Sequence, residues 1–253
     1  MIRFDLEFFL VAGVFLTGAI LFFSLGGENK RNNPWYYEYS KSFFPILLIV
    51  LLLRTFVMEP FRIPSGSMLP TLISGDFILV NKFVYGLRMP ITHKKIFENQ
   101  TPARGDVVVF HFPNDPKIDY IKRVVGLPGD TIMYKNKILY INGKAMHQEM
   151  INHYSDAYAE ENSRHIIAGY EKLANVKHQI LVDLQMPIMN TGEIMVPPKH
   201  YFVMGDNRDH SSDSRFWGFV PERYLVGQAF LVWMHWNATK FNVRFDRIGK
   251  DII

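Results

Sequence analysis

Thr131-Ile-Met-Tyr-Lys-Asn-Lys-Ile-Leu-Tyr-Ile-Asn-Gly-Lys144 sets the class of the fold. It contains two short runs of β-branched and aromatic residues, Thr131–Tyr134 and Ile138–Ile141, followed by Asn142-Gly143. The Asn-Gly pair predicts a hairpin, because a type I′ turn needs positive φ at both central residues. Working outward, similar runs recur at Phe77–Lys82, Asp106–His111, Asp119–Val125, Tyr201–Met204 and Gln228–His235, with Gly, Pro, Asn and Asp between them. Many short strands at such spacing predict a mainly β domain, an antiparallel barrel or sandwich, over residues 59–253. From His147 to Pro198 the chain is more polar and less regular, and reads as an inserted subdomain of unspecified fold.

Toward the N-terminus the pattern changes. Phe8 to Leu25 is a continuous uncharged run, which at about 1.5 Å per residue nearly crosses a hydrocarbon core of about 30 Å. A cleaved signal peptide fits less well, since Arg3 is offset by Asp5 and Glu7 and no small-x-small site follows. Residues 26–42 form a polar loop with Lys30, Arg31 and Lys41, and a second apolar segment runs from Phe43 to about Met58. That segment is short enough to be a buried core helix, but the first span favours a second crossing. Arg54 in its last turns is expected to reach the headgroups. The basic loop favours a cytoplasmic location, which leaves everything beyond Met58 on the outer side.

The 253 residues suffice for a sizeable core, and the net charge of +4 is too small to argue for nucleic acid. No cysteine is present, so disulfides, thiolate catalysis and Cys-based zinc sites are excluded. The nine His show no H-E-x-x-H or other ligand spacing, and neither a metal nor a cofactor is expected.

Three segments carry candidate chemistry. In Ile63-Pro-Ser-Gly-Ser-Met-Leu-Pro-Thr-Leu72, Ser67 lies between Pro64 and Pro70, which restrict the backbone. Turn chemistry alone makes it an ordinary turn residue, and it is not a G-x-S-x-G elbow. In Asp119-Tyr-Ile-Lys-Arg-Val-Val-Gly-Leu-Pro-Gly-Asp130, a strand puts Tyr120, Lys122 and Val124 on one face and Ile121, Arg123 and Val125 on the other. One cation per face suits an edge strand with protective charges, or a buried lysine with a lowered pKa. Periodicity does not say which face is buried. Gly205-Asp-Asn-Arg-Asp-His-Ser-Ser-Asp-Ser-Arg-Phe-Trp-Gly218 reads, alone, as a polar turn with local ion pairs.

Taken together, these segments resemble the motifs of the bacterial type I signal peptidases. The resemblance extends to Ser42-Phe-Phe-Pro and Arg104-Gly-Asp-Val-Val-Val-Phe, all in the family's order; residues about 147–198 and the first span match loosely. It implies a Ser/Lys dyad protease with Ser67 as nucleophile and Lys122 as general base. Ser65 corresponds to the side-chain donor of the oxyanion hole, with the Ser67 N–H as the other donor. Ser211 corresponds to a hydroxyl that orients the base, and Asp213 and Arg215 to a supporting ion pair. The implied substrates are the signal peptides of exported preproteins with small residues at the first and third positions before the cut. The implied location is the bacterial cytoplasmic (inner) membrane, in contact with phospholipid, with the export translocon as a candidate partner.

This division of labour is physically reasonable. A serine hydroxyl is a weak nucleophile until a base takes its proton, and lysine serves only when neutral. Its pKa must therefore fall from about 10.4, which burial achieves by penalising the charged form. Ser67 is nine residues beyond Met58, at most about 30 Å of extended chain from the second span. Trp233 and Trp236 suit either the headgroup level or core packing. Self-cleaving Ser/Lys repressors of the LexA type share the dyad, but two spans and no DNA-binding head argue against them. A membrane-anchored β-domain that only binds partners would tolerate loss of Ser67 or Lys122.

Overall fold

The computed structural model describes residues 6–24, 34–88, 95–97, 99–153, 165–237 and 241–253. It divides into two compact units, residues 1–59 with 86–99 and residues 60–85 with 100–253.

The first unit holds two helices, Leu6–Ser24 and Trp35–Phe56. A Cβ on Gly13 would stand 3.3 Å from Leu47 Cδ1, and one on Gly18 would stand 3.0 Å from the Phe44 ring, so these glycines let the helices approach closely. The second helix begins earlier than its apolar content predicts. Pro34 has the extended backbone of an N-cap, and its carbonyl accepts from Tyr37 N–H at 2.9 Å. Residues 35–42, expected in a polar loop, are therefore helical, and Met58 belongs instead to the Met58–Arg62 strand. The remainder of that loop, 26–33, lies outside the described residues. Among the described residues one helix, Trp35–Thr55, is long and apolar enough to cross a membrane; Phe8–Ser24 is apolar but shorter. By length and composition, then, only the second of the two expected spans qualifies. Arg54, expected to reach the headgroups, has the carboxylate of Glu59 as an ion-pair partner.

The second unit is mainly antiparallel β. Its largest sheet has nine strands, with a central spatial order of Asp76–Asn81, Leu225–Asn237, Val107–Phe112, Asp115–Gly126, His200–Met204 and Val220–Pro221. The order is an open path, so hydrogen bonding among the described strands does not close the expected barrel. The Asp115–Gly126 strand is interior, between Val107–Phe112 and His200–Met204, and from Lys122 to Gly126 every residue is buried. The edge-strand explanation of its two cations therefore falls. Both are buried because the strand is covered on both faces.

The opening hairpin forms with Asn142 at φ 52° and Gly143 at φ 75°, and Ile141 pairs with Lys144 across it. It belongs to a four-stranded sheet that also takes Ile194–Met195. Ile132, Tyr134, Leu139 and Ile141 from this sheet pack with Phe202 and Met204 of the main sheet. The region expected to be irregular contains a three-stranded antiparallel sheet, His147–His153, Ile166–Leu173 and Val176–Asp183, while residues 154–164 lie outside the description. In its register Glu171 sits directly opposite His178, and both are buried.

Trp233 and Trp236 are 39% and 36% exposed, so they are not core residues. Trp233 meets Phe77 edge-on and Trp236 meets the exposed Phe241.

Candidate active site

The turn carrying Ser67 is pinned by its neighbours. Ile63, Met68 and Leu72 are buried against Ile78, Val80, Val107, Val109 and Val232 of the main sheet. Burying a side chain of that size contributes roughly 1.5–3 kcal/mol, so the backbone on each side of Ser67 is tightly held. Ser67 itself is half-buried, and Ser65 lies exposed two residues earlier on the same turn.

The interior strand supplies Lys122. Its Nζ lies 2.7 Å from Ser67 Oγ and 2.9 Å from Ile121 O. Val124 beside it is fully buried, and the Tyr120 ring centroid is 5.5 Å from Nζ. Burial pushes the Lys122 ammonium down to about 8, against the opposing fields of Asp213 and Asp206. A serine and a largely desolvated amine in hydrogen-bond contact can activate a hydroxyl for attack on a carbonyl.

Successive strand residues point to opposite sides, and Arg123 turns to a different partner. Its guanidinium grips Asp206 in two hydrogen bonds of 2.8 and 2.7 Å and donates to Gly105 O and Ile253 O. Thr71 Oγ1, four residues beyond Ser67, donates to the same carboxylate at 2.6 Å. Asp206 thus fastens the serine turn, the lysine strand and the 205–215 segment to one another.

Within that segment Asp213 and Arg215 form a two-pronged ion pair, with contacts of 2.8 and 2.7 Å. Asp213 also accepts from Gly205 N–H at 3.1 Å, while Arg215 donates to Arg208 O at 2.6 Å. Ser211 Oγ is buried and has no hydrogen-bond partner among the described residues. It is therefore not hydrogen-bonded to Lys122, whose second polar contact is the carbonyl of its own strand neighbour Ile121. Ser211 nonetheless packs against Gly205: a Cβ there would stand 2.2 Å from Ser211 Oγ and 2.5 Å from Ser67 O.

Asn207 carries no signal of its own in the sequence. Its backbone N–H donates to Ser67 O at 3.2 Å and its Nδ2 to Gly66 O at 3.1 Å, so it clamps the serine turn from behind. Only its place between Asp206 and Arg208 in the polar segment could have drawn notice.

The family model described as signal peptidase, peptidase S26, matches residues 36–236. The signal peptidase I of Pseudomonas fluorescens is 48% identical over 237 residues, covering 88% of this chain and 81% of that protein. That of Pseudomonas aeruginosa is 46% identical, with the same coverage of 88% and 81%. A solved signal peptidase I from Enterococcus faecalis is 27% identical with a TM-score of 0.32, covering 51% of this chain and 97% of that one. A match across most of the chain, with identities near one half, establishes descent: the chain belongs to the peptidase S26 family of signal peptidases and is a hydrolase.

Proposed function

We propose that this chain is a membrane-bound serine endopeptidase that removes N-terminal signal peptides from exported preproteins, with Ser67 as nucleophile and Lys122 as general base. The observation that carries the proposal is the 2.7 Å approach of a buried Lys122 Nζ to Ser67 Oγ. With the amine at about 8, about a tenth is neutral at pH 7, enough to accept a proton from the serine hydroxyl. As the proton moves to Nζ, Oγ bonds to the scissile carbonyl carbon. The developing oxyanion would take hydrogen bonds from the Ser67 N–H and the Ser65 hydroxyl, each often worth about 3 kcal/mol. Collapse breaks the C–N bond, and the new amino terminus leaves with the proton from Lys122. Water then attacks the acyl-serine by the same route in reverse.

The supporting groups have distinct tasks in this reading. Asp213 and Arg215 hold the 205–215 segment against the dyad through Gly205. Ser211, a buried hydroxyl beside Gly205, would turn toward Lys122 once substrate draws the amine from Ile121 O, since catalytic hydrogen bonds often tighten only with substrate bound.

Membrane attachment rests on the Trp35–Thr55 helix, supported by the shorter Phe8–Ser24. Because Lys41 lies in the second helix, the inside charge reduces to Lys30 and Arg31 between the helices. On this reading the catalytic unit faces the outer side of the cytoplasmic membrane and both helices cross, an orientation that this charge supports. The exposed Trp233, Trp236 and Phe241 suit a headgroup contact on the same side.

The test uses the full chain in detergent or vesicles with a preprotein substrate. Ser67→Ala and Lys122→Met are expected to abolish cleavage. If either folded variant cleaves at the wild-type rate, the dyad is wrong.

A further inference from the structure

The guanidinium of Arg215 uses its edge and its face for different partners. The edge goes to oxygen: Nε and Nη2 donate to the Asp213 carboxylate, and Nη2 donates also to Arg208 O. The face goes to an aromatic ring. The guanidinium carbon lies 4.8 Å from the centroid of Tyr134, within the roughly 6 Å over which a π-face holds a cation. Phe216, the next residue, is further off at 5.9 Å and is itself exposed. The Arg215 side chain is only 2% exposed, so water does little for whatever part of the cation the protein leaves uncovered.

Tyr134 belongs to the Thr131–Lys135 strand of the opening hairpin, on a different sheet from the dyad. It is fully buried, in one core cluster with Leu139, Leu173 and Phe202. Its backbone is fixed on both sides, since its N–H donates to Thr191 Oγ1 at 2.9 Å and its carbonyl accepts from Thr191 N–H at 2.8 Å. Its hydroxyl has no hydrogen-bond partner among the described residues, so the ring is what this side chain offers. Burial pushes the phenol above its ordinary range and keeps that ring neutral. The hairpin meets the 205–215 segment at a second point, where Lys137 Nζ donates to Asp209 at 2.8 Å.

A short chain of contacts runs from this ring to the nucleophile. Tyr134 covers Arg215, Arg215 grips Asp213, and Asp213 accepts from Gly205 N–H at 3.1 Å. Gly205 in turn lies so close to Ser67 O that a Cβ would stand 2.5 Å from it. An arginine fork is directional, so the tilt of the guanidinium decides where the Asp213 carboxylate sits.

We propose that Tyr134 is a positioning residue for the Ser67 nucleophile: its ring seats the Arg215 guanidinium at the tilt from which Asp213 holds Gly205 against the serine turn. The inference rests on the Ser/Lys reading above and extends the site beyond the three motif segments, into the hairpin sheet.

The experiment measures kcat and KM for preprotein cleavage by the full chain and by Tyr134→Phe, Tyr134→Leu, Arg215→Gln and the Tyr134→Leu/Arg215→Gln double variant. Leu139→Ala, in the same core cluster, serves as the packing control. Tyr134→Phe keeps the ring and should stay within about twofold of wild type. Tyr134→Leu should lose about tenfold in kcat at nearly constant KM, the scale of a desolvated cation–π contact. Arg215→Gln should lose at least as much, and the double variant no more than Arg215→Gln, because the ring then has no cation to act through. Leu139→Ala should lower Tm and leave kcat within about twofold. Equal losses in Tyr134→Phe and Tyr134→Leu, additive losses in the double variant, a wild-type kcat in Arg215→Gln, or a tenfold loss in Leu139→Ala each overturns the inference. Where Tyr134→Leu, Arg215→Gln or the double variant gives no folded protein, trifluorophenylalanine at position 134 decides. It keeps the shape of the ring and withdraws the negative charge of its face, so kcat should fall about threefold or more below Tyr134→Phe, and an unchanged kcat overturns the inference. Lys122→Met in the same assay tests the underlying reading: activity surviving there removes the dyad whatever Tyr134 does, so the two failures are distinguishable.

Discussion

Gly205→Ala tests how tightly the site is built. The new Cβ would lie 2.2 Å from Ser211 Oγ, 2.5 Å from Ser211 Cβ and 2.5 Å from Ser67 O. Ordinary carbon contacts sit at about 3.5 Å or more, so neighbours must retreat by about 1 Å. Gly205 itself is poorly placed to retreat, because its N–H is bonded to Asp213 and the next residue, Asp206, is locked to Arg123 and Thr71. The strain therefore passes to Ser211 and to the carbonyl of Ser67. Overpacking of this kind costs about 1–3 kcal/mol of stability, a fall in Tm of about 2–12 °C for a unit of this size. The larger effect is on rate. Ser67 Oγ sits 2.7 Å from Lys122 Nζ, and a displacement of about 1 Å at a reacting group costs about 100-fold. Steady-state cleavage of a preprotein should show kcat down by about 100-fold, with KM changed far less. A folded Gly205→Ala enzyme within about threefold of wild type would refute the claim that this close approach positions the nucleophile.

Three further outcomes follow from the same geometry. A general-base role for Lys122, as proposed, needs the neutral amine, so kcat/KM should fall about tenfold per unit as pH drops below about 8; a flat profile from pH 5 to 8 would exclude an unprotonated lysine base. Lys122→Met removes an amine whose folded value of about 8 lies below its unfolded 10.5, so the native protein binds fewer protons than the unfolded chain between those values and its stability rises there with pH. Urea unfolding of this variant should show a gain of about 3 kcal/mol at pH 7 that vanishes toward pH 10.5, and a loss at pH 7 would mean the amine is structural. Asn207→Ala deletes the bond to Gly66 O but keeps the backbone bond to Ser67 O; kcat should fall about tenfold at nearly constant KM, and an unchanged kcat would show that the side-chain clamp is idle.

The strands and the opening hairpin were legible because their cues are local. Asn142-Gly143 takes positive φ at both positions as the turn type demands, and the main-sheet strands start or end within a few residues of their apolar runs. The start of the second helix is not legible, because a helix can continue through exposed Ser, Lys and Tyr, and hydropathy marks the apolar stretch and not the element. The three-stranded sheet was hidden for the opposite reason. Its inward positions include Glu171 and His178, so its alternation is not one of apolar against polar, and charge buried against charge is invisible to a hydropathy pattern. The roles proposed for Ser67 and Lys122 are legible only through motif resemblance. Two residues 55 positions apart meet only when the interior strand is folded against the turn, and no local rule contains that contact.

The adjacency of Lys122 and Arg123 resolves a conflict within the site. A base must be deprived of counter-ions, because each carboxylate nearby stabilises its charged form and removes it from use. The anchor that joins the serine turn to the 205–215 segment needs the reverse: a buried carboxylate such as Asp206 is stable only when fully paired. Both demands fall within one short stretch of chain, and the alternation of a strand separates them. Lys122 faces a hydroxyl and a carbonyl, while Arg123 takes the Asp206 carboxylate in a two-pronged grip. The separation is incomplete, since Asp206 still acts on Lys122 through space. The Arg123 grip on Asp206 therefore serves both demands at once, because the carboxylate it compensates is one of the two that favour the charged form of Lys122.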